Sequence, residues 1–260
     1  MKMIWKRFAL VLVLVLLALG GAVWWTSQMR PDEKMMDAGL PPLCSDREFE
    51  GDTFVVCAVD LSNYSIHLAL KGSDGKPYEH LDRLPKPFVM AMNAGMYHAD
   101  YSPVGLYVEN GKELSALNTD SGDGNFFMKP NGVFFIDEDG QPGVLETGAY
   151  AAADIRPRVA TQSGPMVVID GDVHSRFEPD GQSKYIRNGV GVDEKGRVVL
   201  AISRGPVSLG RFARLFRDAL GCRNALFFDG GISALYDGAR YVVGGEEPAG
   251  PMLIVQSRGG

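Results

Sequence analysis

The sequence predicts an α+β fold, a single strand-rich domain with few helices. Short apolar runs with period-2 alternation recur along the chain, as in "TFVVCAVDL" and "SIHLAL", and this period is typical of half-buried strands. Turn signals separate the runs, notably Asn110-Gly111 and Asp139-Gly140, because these steps accept the backbone angles of tight hairpins. Glycine contributes 32 of the 260 residues, which agrees with a chain rich in turns.

One segment has the apolar spacing of an amphipathic helix. Residues 208–220 place an apolar side chain on the same face every three or four residues. That face consists of Leu209, Phe212, Ala213, Phe216 and Leu220. Ser208 is suited to cap the start of this helix and Gly221 to end it. A second, shorter helix is expected in "EHLDRL".

The N-terminus, residues 1–26, has the pattern of a targeting segment. Three basic residues precede the uncharged run "FALVLVLVLLALGGAVWW", which has the length and flanks of a signal peptide or an uncleaved signal anchor. Both alternatives place the rest of the chain outside the cytoplasm, either anchored in the inner membrane and facing the periplasm or secreted. We expect residues 27–43 to be a linker and residues 44–260 to form the exported domain.

The charge balance excludes one class of partner. The chain carries a net charge of −6, and residues 1–26 hold three basic and no acidic side chains. The remainder therefore has 23 basic and 32 acidic residues, a net charge of −9. Because an acidic domain without Lys/Arg clusters binds nucleic acid poorly, we expect a membrane contact through the N-terminal segment and no nucleic-acid partner.

The three cysteines predict one disulfide. Cys44 and Cys57 are close in sequence and lie in a part of the chain expected to be exported, so a bridge between them is favoured and would stabilise by roughly 3 kcal/mol. Cys222 follows Gly221 and is expected to be a buried free thiol, although its pairing with either of the others stays open. No CxxC motif occurs and the four histidines are scattered, so neither a metal nor another cofactor is predicted.

Five segments place a short polar side chain beside a glycine next to an apolar run. They contain Asn93-Ala94-Gly95, Pro130-Asn131-Gly132, Ser163-Gly164-Pro165, Arg187-Asn188-Gly189 and Asp229-Gly230-Gly231. Loops on one rigid scaffold often converge on one pocket, and glycine allows a ligand to approach the backbone. The alternative is that each segment is only a turn, since Asn-Gly and Asp-Gly steps are common in hairpins. Phosphate-loop, HExxH and GxSxG signatures do not occur in the sequence.

Taken in order, five motifs resemble the phosphodiester glycosidase family, the bacterial relatives of the lysosomal enzyme that uncovers mannose 6-phosphate by removing N-acetylglucosamine from a phosphodiester. They are "MNAGMYHADYSPVGLYVENG", "LNTDSGDGNFFMKPNGVFFI", "ATQSGPMVVIDG", "IRNGVGVD" and "FFDGGIS". The resemblance covers about residues 50–255. It implies a strand-rich α+β fold and hydrolysis of a sugar-1-phosphodiester at the glycosidic C1–O bond. Ile232 stands where the family usually has a third glycine, whereas Asp229 and Ser233 match.

The implied reaction assigns roles to these residues. An oxocarbenium-like transition state needs a carboxylate near the anomeric carbon and donors that hold the departing phosphate. Asp229 is the expected nucleophile or base toward water, Arg187 the expected anion clamp, and Asn93 a third expected catalytic residue. The expected substrate-binding residues are Tyr97, Asn131, Ser163, Gly164, Gly230, Gly231 and Ser233. His98 and Asp100 are candidates for a second acid or base.

Two other functions stay open from the sequence. An anchored, non-catalytic module that binds glycans or the cell wall would use the same aromatic and amide side chains. Phosphodiester hydrolysis at phosphorus usually needs a metal ion, and the sequence offers no obvious ligand cluster. The sequence specifies neither the sugar, nor the group on the other side of the phosphate, nor a retaining or inverting outcome.

Overall fold

The structure is a computed structural model that describes residues 40–259. The predicted signal segment and most of the predicted linker lie outside the described residues. Within the described part there are two short α-helices, α1 (Thr147–Ala152) and α2 (Leu209–Arg214), and seventeen strands. The strands are β1 (Cys44–Phe49), β2 (Asp52–Val59), β3 (Tyr64–Ala69), β4 (Met90–Asn93), β5 (Tyr107–Glu109), β6 (Lys112–Ser115), β7 (Gly132–Asp137), β8 (Pro142–Glu146), β9 (Pro157–Ser163), β10 (Met166–Ile169), β11 (Asp172–Val173), β12 (Asn188–Val192), β13 (Val198–Ser203), β14 (Ala225–Phe227), β15 (Leu235–Tyr236), β16 (Tyr241–Val243) and β17 (Met252–Ser257).

The strands form three sheets. A seven-stranded sheet has the order β1-β2-β13-β12-β14-β10-β11, and two five-stranded sheets have the orders β16-β15-β4-β17-β3 and β6-β5-β9-β7-β8. Neighbouring strands in all three sheets are antiparallel. The predicted strand-rich domain with few helices is therefore confirmed for the described residues. No helix among residues 40–259 is long and apolar enough to cross a membrane.

The seven-stranded sheet is covered on both faces, and strand β13 shows this most clearly. Its residues read "VVLAIS" without polar alternation, and all six are buried. Leu200 belongs to a core shared by the three sheets, whereas Val199 and Ala201 pack with the residues of α2. A strand that is buried on both faces has no solvent side to be polar, which explains the continuous apolar run.

The predicted helix over residues 208–220 is present with a change of winding. The Ser208 hydroxyl accepts the Arg211 N–H at 3.2 Å, which confirms Ser208 as the N-cap. The α-helix ends at Arg214, and a π-helical turn, Leu215–Ala219, continues it. This wider turn buries Leu215 completely, a position that lies outside the predicted apolar face. The predicted helix in "EHLDRL" is only a 3₁₀ turn, Leu81–Arg83, and the sequence analysis missed α1.

The hairpin and cysteine predictions are confirmed. Asn110 and Gly111 both have positive φ, 53° and 75°, between β5 and β6, as a type I′ turn requires. Cys44 and Cys57 are directly opposite on β1 and β2 and form a disulfide, while Cys222 is free and buried. Leu40 and Leu43, which the sequence analysis included in the linker, pack against the shared core.

Candidate active site

Two strand ends from different sheets meet at the candidate site. Asn93 ends β4 in a five-stranded sheet, and Asn188 begins β12 in the seven-stranded sheet. The Asn188 side-chain amide donates to the Asn93 side-chain oxygen and to its main-chain oxygen, each at 2.9 Å. Both asparagines have no solvent exposure. This buried amide pair joins the two sheets at the point where the chain also places Asp229.

The amide pair fixes the loop that carries Asp229. The Asn93 side-chain nitrogen donates to the Asp229 carbonyl oxygen at 3.0 Å, and the Ala234 N–H donates to the Asn93 side-chain oxygen at 2.9 Å. The Ser233 hydroxyl donates to the Ile186 carbonyl at 3.0 Å and lies 3.1 Å from the Asn188 side-chain oxygen. Asn93 and Ser233 therefore hold the loop on both sides of its two glycines, with their polar atoms engaged by protein groups.

Asp229 is a half-buried carboxylate without a cationic partner among the residues that the structure describes. One of its oxygens accepts the Gly231 N–H at 3.0 Å, and none of the ion pairs among residues 40–259 includes it. Burial raises the pKa of Asp229 above its ordinary value, against a lowering by the Gly231 hydrogen bond. Burial also raises the pKa of Tyr97 to about 12, with a further contribution from the nearby negative charge of Asp229.

A cavity of about 460 Å³ adjoins this loop. We call it the glycine-loop cavity. Its lining consists of Tyr185, Ile186, Gly230, Gly231, Ile232, Ser233, Gly244, Gly245, Glu246 and Glu247. Gly230 has no room for a side chain, because an added Cβ would lie 2.5 Å from the Phe227 ring. Ile232, the departure from the family motif, forms part of the wall and also packs against a smaller hydrophobic cluster around Tyr236.

The segment after β4 borders this region from the other side. The Tyr97 hydroxyl donates to the Pro248 carbonyl at 2.6 Å, and its ring stacks on Tyr101 with centroids 5.8 Å apart. His98 and Asp100 are exposed on the turn that follows, outside the cavity lining. The Ser102 hydroxyl and N–H lower the pKa of Asp100, so this carboxyl is ionised at neutral pH and is poorly suited to donate a proton.

Arg187 lies beside a second cavity. Its side chain is 2% exposed, its Nε donates to the Val207 carbonyl at 2.8 Å, and one Nη donates to the Ser183 carbonyl at 2.9 Å. Burial lowers the pKa of Arg187 to about 10, so it remains a cation at neutral pH. None of the ion pairs in the described part of the chain includes it, which rules out the surface salt bridge that its sequence also allowed.

The second cavity, which we call the Arg187 cavity, has a volume of about 330 Å³. Its other lining residues are Asn125, Met128, Arg176, Phe177, Glu178, Gly181, Gln182, Ser183, Ser208, Leu209 and Gly210. Arg187 and the loop that carries Asp229 thus border different cavities, and the causes that shift the pKa values of Arg187 and Asp229 do not include each other. Residues 183–187 supply lining to both cavities.

The remaining predicted site residues lie in the interior of the fold. The Asn131 amide donates to the Phe126 carbonyl at 2.9 Å, and its oxygen accepts the Thr147 hydroxyl at 2.8 Å, with no exposure to solvent. Gly164 is packed so that an added Cβ would lie 2.6 Å from the Phe126 carbonyl oxygen. Ser163 is also fully buried, and its hydroxyl is the one buried side-chain polar atom of residues 40–259 that has no hydrogen-bond partner.

The sequence analysis missed two residues that the structure places here. Asn188 stood in the motif "IRNGVGVD" but received no role, although its position before a glycine at a strand end matched the other site segments. Tyr185 lines the glycine-loop cavity and is 58% exposed, and no sequence signal distinguished it from a surface tyrosine. Across residues 40–259, no group of three or more His, Cys, Asp or Glu side chains is arranged to hold a metal ion.

Solved structures share this fold. The catalytic domain of zebrafish N-acetylglucosamine-1-phosphodiester alpha-N-acetylglucosaminidase, auto-inhibited by its pro-peptide, superimposes with a TM-score of 0.60 at 16% identity, covering 83% of this chain and 82% of that one. A putative exported protein of Burkholderia pseudomallei has a TM-score of 0.54 at 13% identity, covering 85% and 76%. At such identities the likeness concerns the fold.

Sequence relatives are more specific. The protein YigE of Escherichia coli strain K12 is 36% identical over 170 residues, which are 65% of this chain and 66% of YigE, just under two thirds of that relative. Residues 86–255 match the sequence profile of the phosphodiester glycosidase family. This range includes the Asn93 and Asn188 pair, Arg187 and the Asp229 loop. The chain therefore belongs to the phosphodiester glycosidase family, as its ordered motifs indicated.

Proposed function

We propose that this protein hydrolyses a sugar-1-phosphodiester of an extracytoplasmic glycan or glycoconjugate at the glycosidic C1–O bond. The observation that carries the proposal is Asp229, a half-buried carboxylate with a raised pKa and no cationic partner in the described chain, on the loop that lines the glycine-loop cavity. Family membership supports the reaction class. The zebrafish enzyme of similar fold is, by its name, a glycosidase that acts on an N-acetylglucosamine-1-phosphodiester.

The reaction needs an electron pair at C1 and a stable leaving group. Either Asp229 attacks C1 directly, and water then hydrolyses the resulting sugar ester and regenerates the carboxylate, or Asp229 takes a proton from a water molecule whose oxygen attacks C1. The C1–O bond breaks, its electrons remain on the phosphate oxygen, and the products are the free sugar and a phosphate monoester. A phosphate ester is already a weak base, so it departs with little protonation. This chemistry therefore does not require a second acid of the kind that ordinary glycosidases use.

Arg187 is the proposed partner of the departing phosphate. Guanidinium N–H groups match the geometry of phosphate oxygens, and only two of its five N–H donors have acceptors within residues 40–259. A buried cation without a carboxylate partner is costly, and binding an anion would offset that cost. Since Arg187 borders the Arg187 cavity, we propose that the phosphate end of the substrate reaches across residues 183–187 into it.

An extracytoplasmic setting agrees with the disulfide. The Cys44–Cys57 bridge is a bond that persists in oxidising compartments and is rare in the cytosol. The N-terminal sequence has the charge and apolar pattern of a signal segment. Together these features support a protein that meets its substrate in the periplasm or outside the cell, either anchored or secreted.

The decisive experiment is a hydrolysis screen on sugar-1-phosphodiesters, including those of N-acetylglucosamine, with Asp229→Asn as the inactive variant. We expect wild-type turnover of at least one ester and a loss of about 10³-fold or more in Asp229→Asn. The matched control is Asp237→Asn, because Asp237 is also followed by glycine, but its carboxylate accepts the Ala239 and Arg240 N–H groups and pairs with the Arg240 side chain at 3.5 Å in a hairpin. Glycan binding without hydrolysis of any ester would favour the binding-module alternative.

A further inference from the structure

The segment before Arg187 carries an aromatic side chain at an unusual position. Among the residues that the structure describes, Leu114 and Tyr185 are the two large hydrophobic side chains that are exposed. An exposed tyrosine is ordinary by itself. Tyr185 differs because it forms part of the wall of the glycine-loop cavity, together with Ile186 and with Gly230 and Gly231, the two residues that follow Asp229.

The Tyr185 backbone is held on both sides. Its N–H donates to the Val207 carbonyl at 3.2 Å, and the Val207 N–H donates to the Tyr185 carbonyl at 2.8 Å. The same Val207 carbonyl accepts the Arg187 Nε–H at 2.8 Å. One peptide group therefore positions Tyr185 and Arg187 together, which keeps the ring at the cavity wall although most of its surface is exposed.

One face of the Tyr185 ring is already occupied. The Arg187 guanidinium carbon lies 5.6 Å from the ring centroid, a distance at which a cation is attracted to the electron-rich face. The same guanidinium carbon lies 5.3 Å from the centroid of the Phe227 ring. Arg187 therefore contacts one face of the Tyr185 ring, and the other face is left for a ligand in the glycine-loop cavity in the arrangement proposed below.

We propose that Tyr185 is the sugar-binding wall of the glycine-loop cavity. The C–H groups on one face of a pyranose are weakly positive and apolar, and they complement the face of an aromatic ring. A tyrosine also supplies a hydroxyl for the polar edge of the sugar. This inference rests on the proposed function and adds the residue that selects the sugar, while Arg187 behind the ring binds the phosphate.

The arrangement separates two kinds of ligand. A neutral monosaccharide meets Tyr185 and does not need Arg187. Inorganic phosphate meets Arg187 and does not need the free face of Tyr185. Substitution of Tyr185 therefore distinguishes two roles of its ring. If the ring contacts the sugar, the substitution weakens sugar binding; if the ring only supports the Arg187 guanidinium, the substitution weakens phosphate binding.

The test measures binding by calorimetry to the full chain carrying Asp229→Asn, so that no hydrolysis intervenes. The neutral probes are N-acetylglucosamine, glucose, galactose and mannose, and the anionic probe is inorganic phosphate. We expect Tyr185→Ala to weaken binding of the best sugar roughly three- to tenfold and to leave phosphate binding within about twofold. Tyr185→Phe keeps the ring and is expected to bind the sugar within about twofold of the parent.

Leu114→Ala is the matched control, because it shortens the other exposed large apolar side chain and should change neither affinity. The proposal is overturned if none of the four sugars binds the parent protein, or if Tyr185→Ala binds them unchanged. It is also overturned if Tyr185→Ala weakens phosphate binding as much as sugar binding. If the wild-type protein hydrolyses none of the esters in the screen, that result contradicts the proposed function. The binding measurements on Tyr185 do not depend on hydrolysis and test the sugar-binding proposal separately.

Discussion

The Asn93 side-chain nitrogen donates to the Asp229 carbonyl oxygen at 3.0 Å, which links the end of one sheet to the candidate catalytic loop of another. Asn93 is 136 residues away in sequence and has no solvent exposure. We therefore expect Asn93 to act on the reaction through the position of Asp229. The prediction from the sequence that Asn93 is a catalytic residue stays a prediction, and its contacts with the Asp229 loop favour a positioning role.

Replacing Asn93 should displace the loop without removing its carboxylate. We expect Asn93→Ala to lower kcat by about 10-fold or more with a nearly unchanged KM, and to lower the free energy of unfolding by roughly 1–3 kcal/mol. Greater access of water to Asp229 should also move the acidic limb of the pH–rate profile toward lower pH.

Asn131→Ala is the matched control for this prediction, because Asn131 is equally buried but bonds to Phe126 and Thr147. It should lose comparable stability, measured by urea unfolding, while its acidic limb stays in place. If the acidic limb of the pH–rate profile shifts equally in both variants, the shift reflects a general loosening of the fold. Asn93 would then have no specific role in positioning Asp229.

The raised pKa of Asp229 predicts how activity depends on pH. As a nucleophile or base, Asp229 must be ionised, so kcat/KM should fall as pH drops through its pKa. Because burial raises the pKa of Asp229 above its ordinary value, the acidic limb of the pH–rate profile should lie above the range of an exposed aspartate. A limb at or below pH 4 in the rate profile of the wild-type protein would contradict this assignment.

The same shift predicts a stability change of known sign. A carboxyl whose folded pKa is raised favours the folded state when protonated, and this advantage is lost as pH rises from the unfolded pKa through the folded pKa. At neutral pH the ionised Asp229 therefore destabilises the fold. We expect Asp229→Asn to raise the Tm at pH 7 and to lose most of this gain below about pH 4. An equal or lower Tm at pH 7 would show that burial does not penalise this charge.

Arg187 should discriminate between leaving groups. We expect Arg187→Lys, which keeps the charge but loses the planar fork, to lower kcat/KM on phosphodiesters by roughly 10-fold or more while affecting a neutral aryl glycoside of the same sugar much less. Arg223→Lys is the control, since Arg223 is exposed and lines neither cavity. Equal losses on both substrates would define Arg187 as structural.

Ser163 and Ser203 are both fully buried, and they differ in hydrogen bonding. The Ser203 hydroxyl accepts the Arg187 N–H at 3.0 Å, whereas the Ser163 hydroxyl has no partner among the described residues. We expect Ser163→Ala to keep or raise the free energy of unfolding and Ser203→Ala to lower it by roughly 1 kcal/mol. A large loss of kcat/KM in Ser163→Ala with unchanged stability would instead support the substrate contact expected from the sequence.

The disulfide should contribute to stability and not to catalysis. The Cys44–Cys57 bridge closes a separation of 13 residues, and the chain-entropy model gives about 3 kcal/mol for such a loop. We expect the Cys44→Ser, Cys57→Ser double variant to lose about this amount in urea unfolding while kcat is maintained. Dithiothreitol should then destabilise the wild-type protein and have no effect on the double variant.

Features that depend on local chemistry could be predicted from the sequence. The Asn110-Gly111 turn follows from the two positive φ angles that those residues accept, and the Ser208 cap follows from one side-chain oxygen next to a free N–H. The Cys44–Cys57 pairing was favoured by proximity along the chain. The ordered motifs identified the family because the residues of each motif are adjacent in the sequence and can be recognised without the fold.

The composition of the site was decided by tertiary structure. Sequence could place Asn93, Arg187 and Asp229 at segment ends, but the packing of two different sheets against each other determined that Asn93 contacts the Asp229 loop. Burial made Asn131 part of the interior network, and the fold of residues 183–187 directed Arg187 and Tyr185 to different cavities. These outcomes depend on contacts between residues far apart in the chain, and no local propensity encodes which distant groups will meet or how deeply they will be buried.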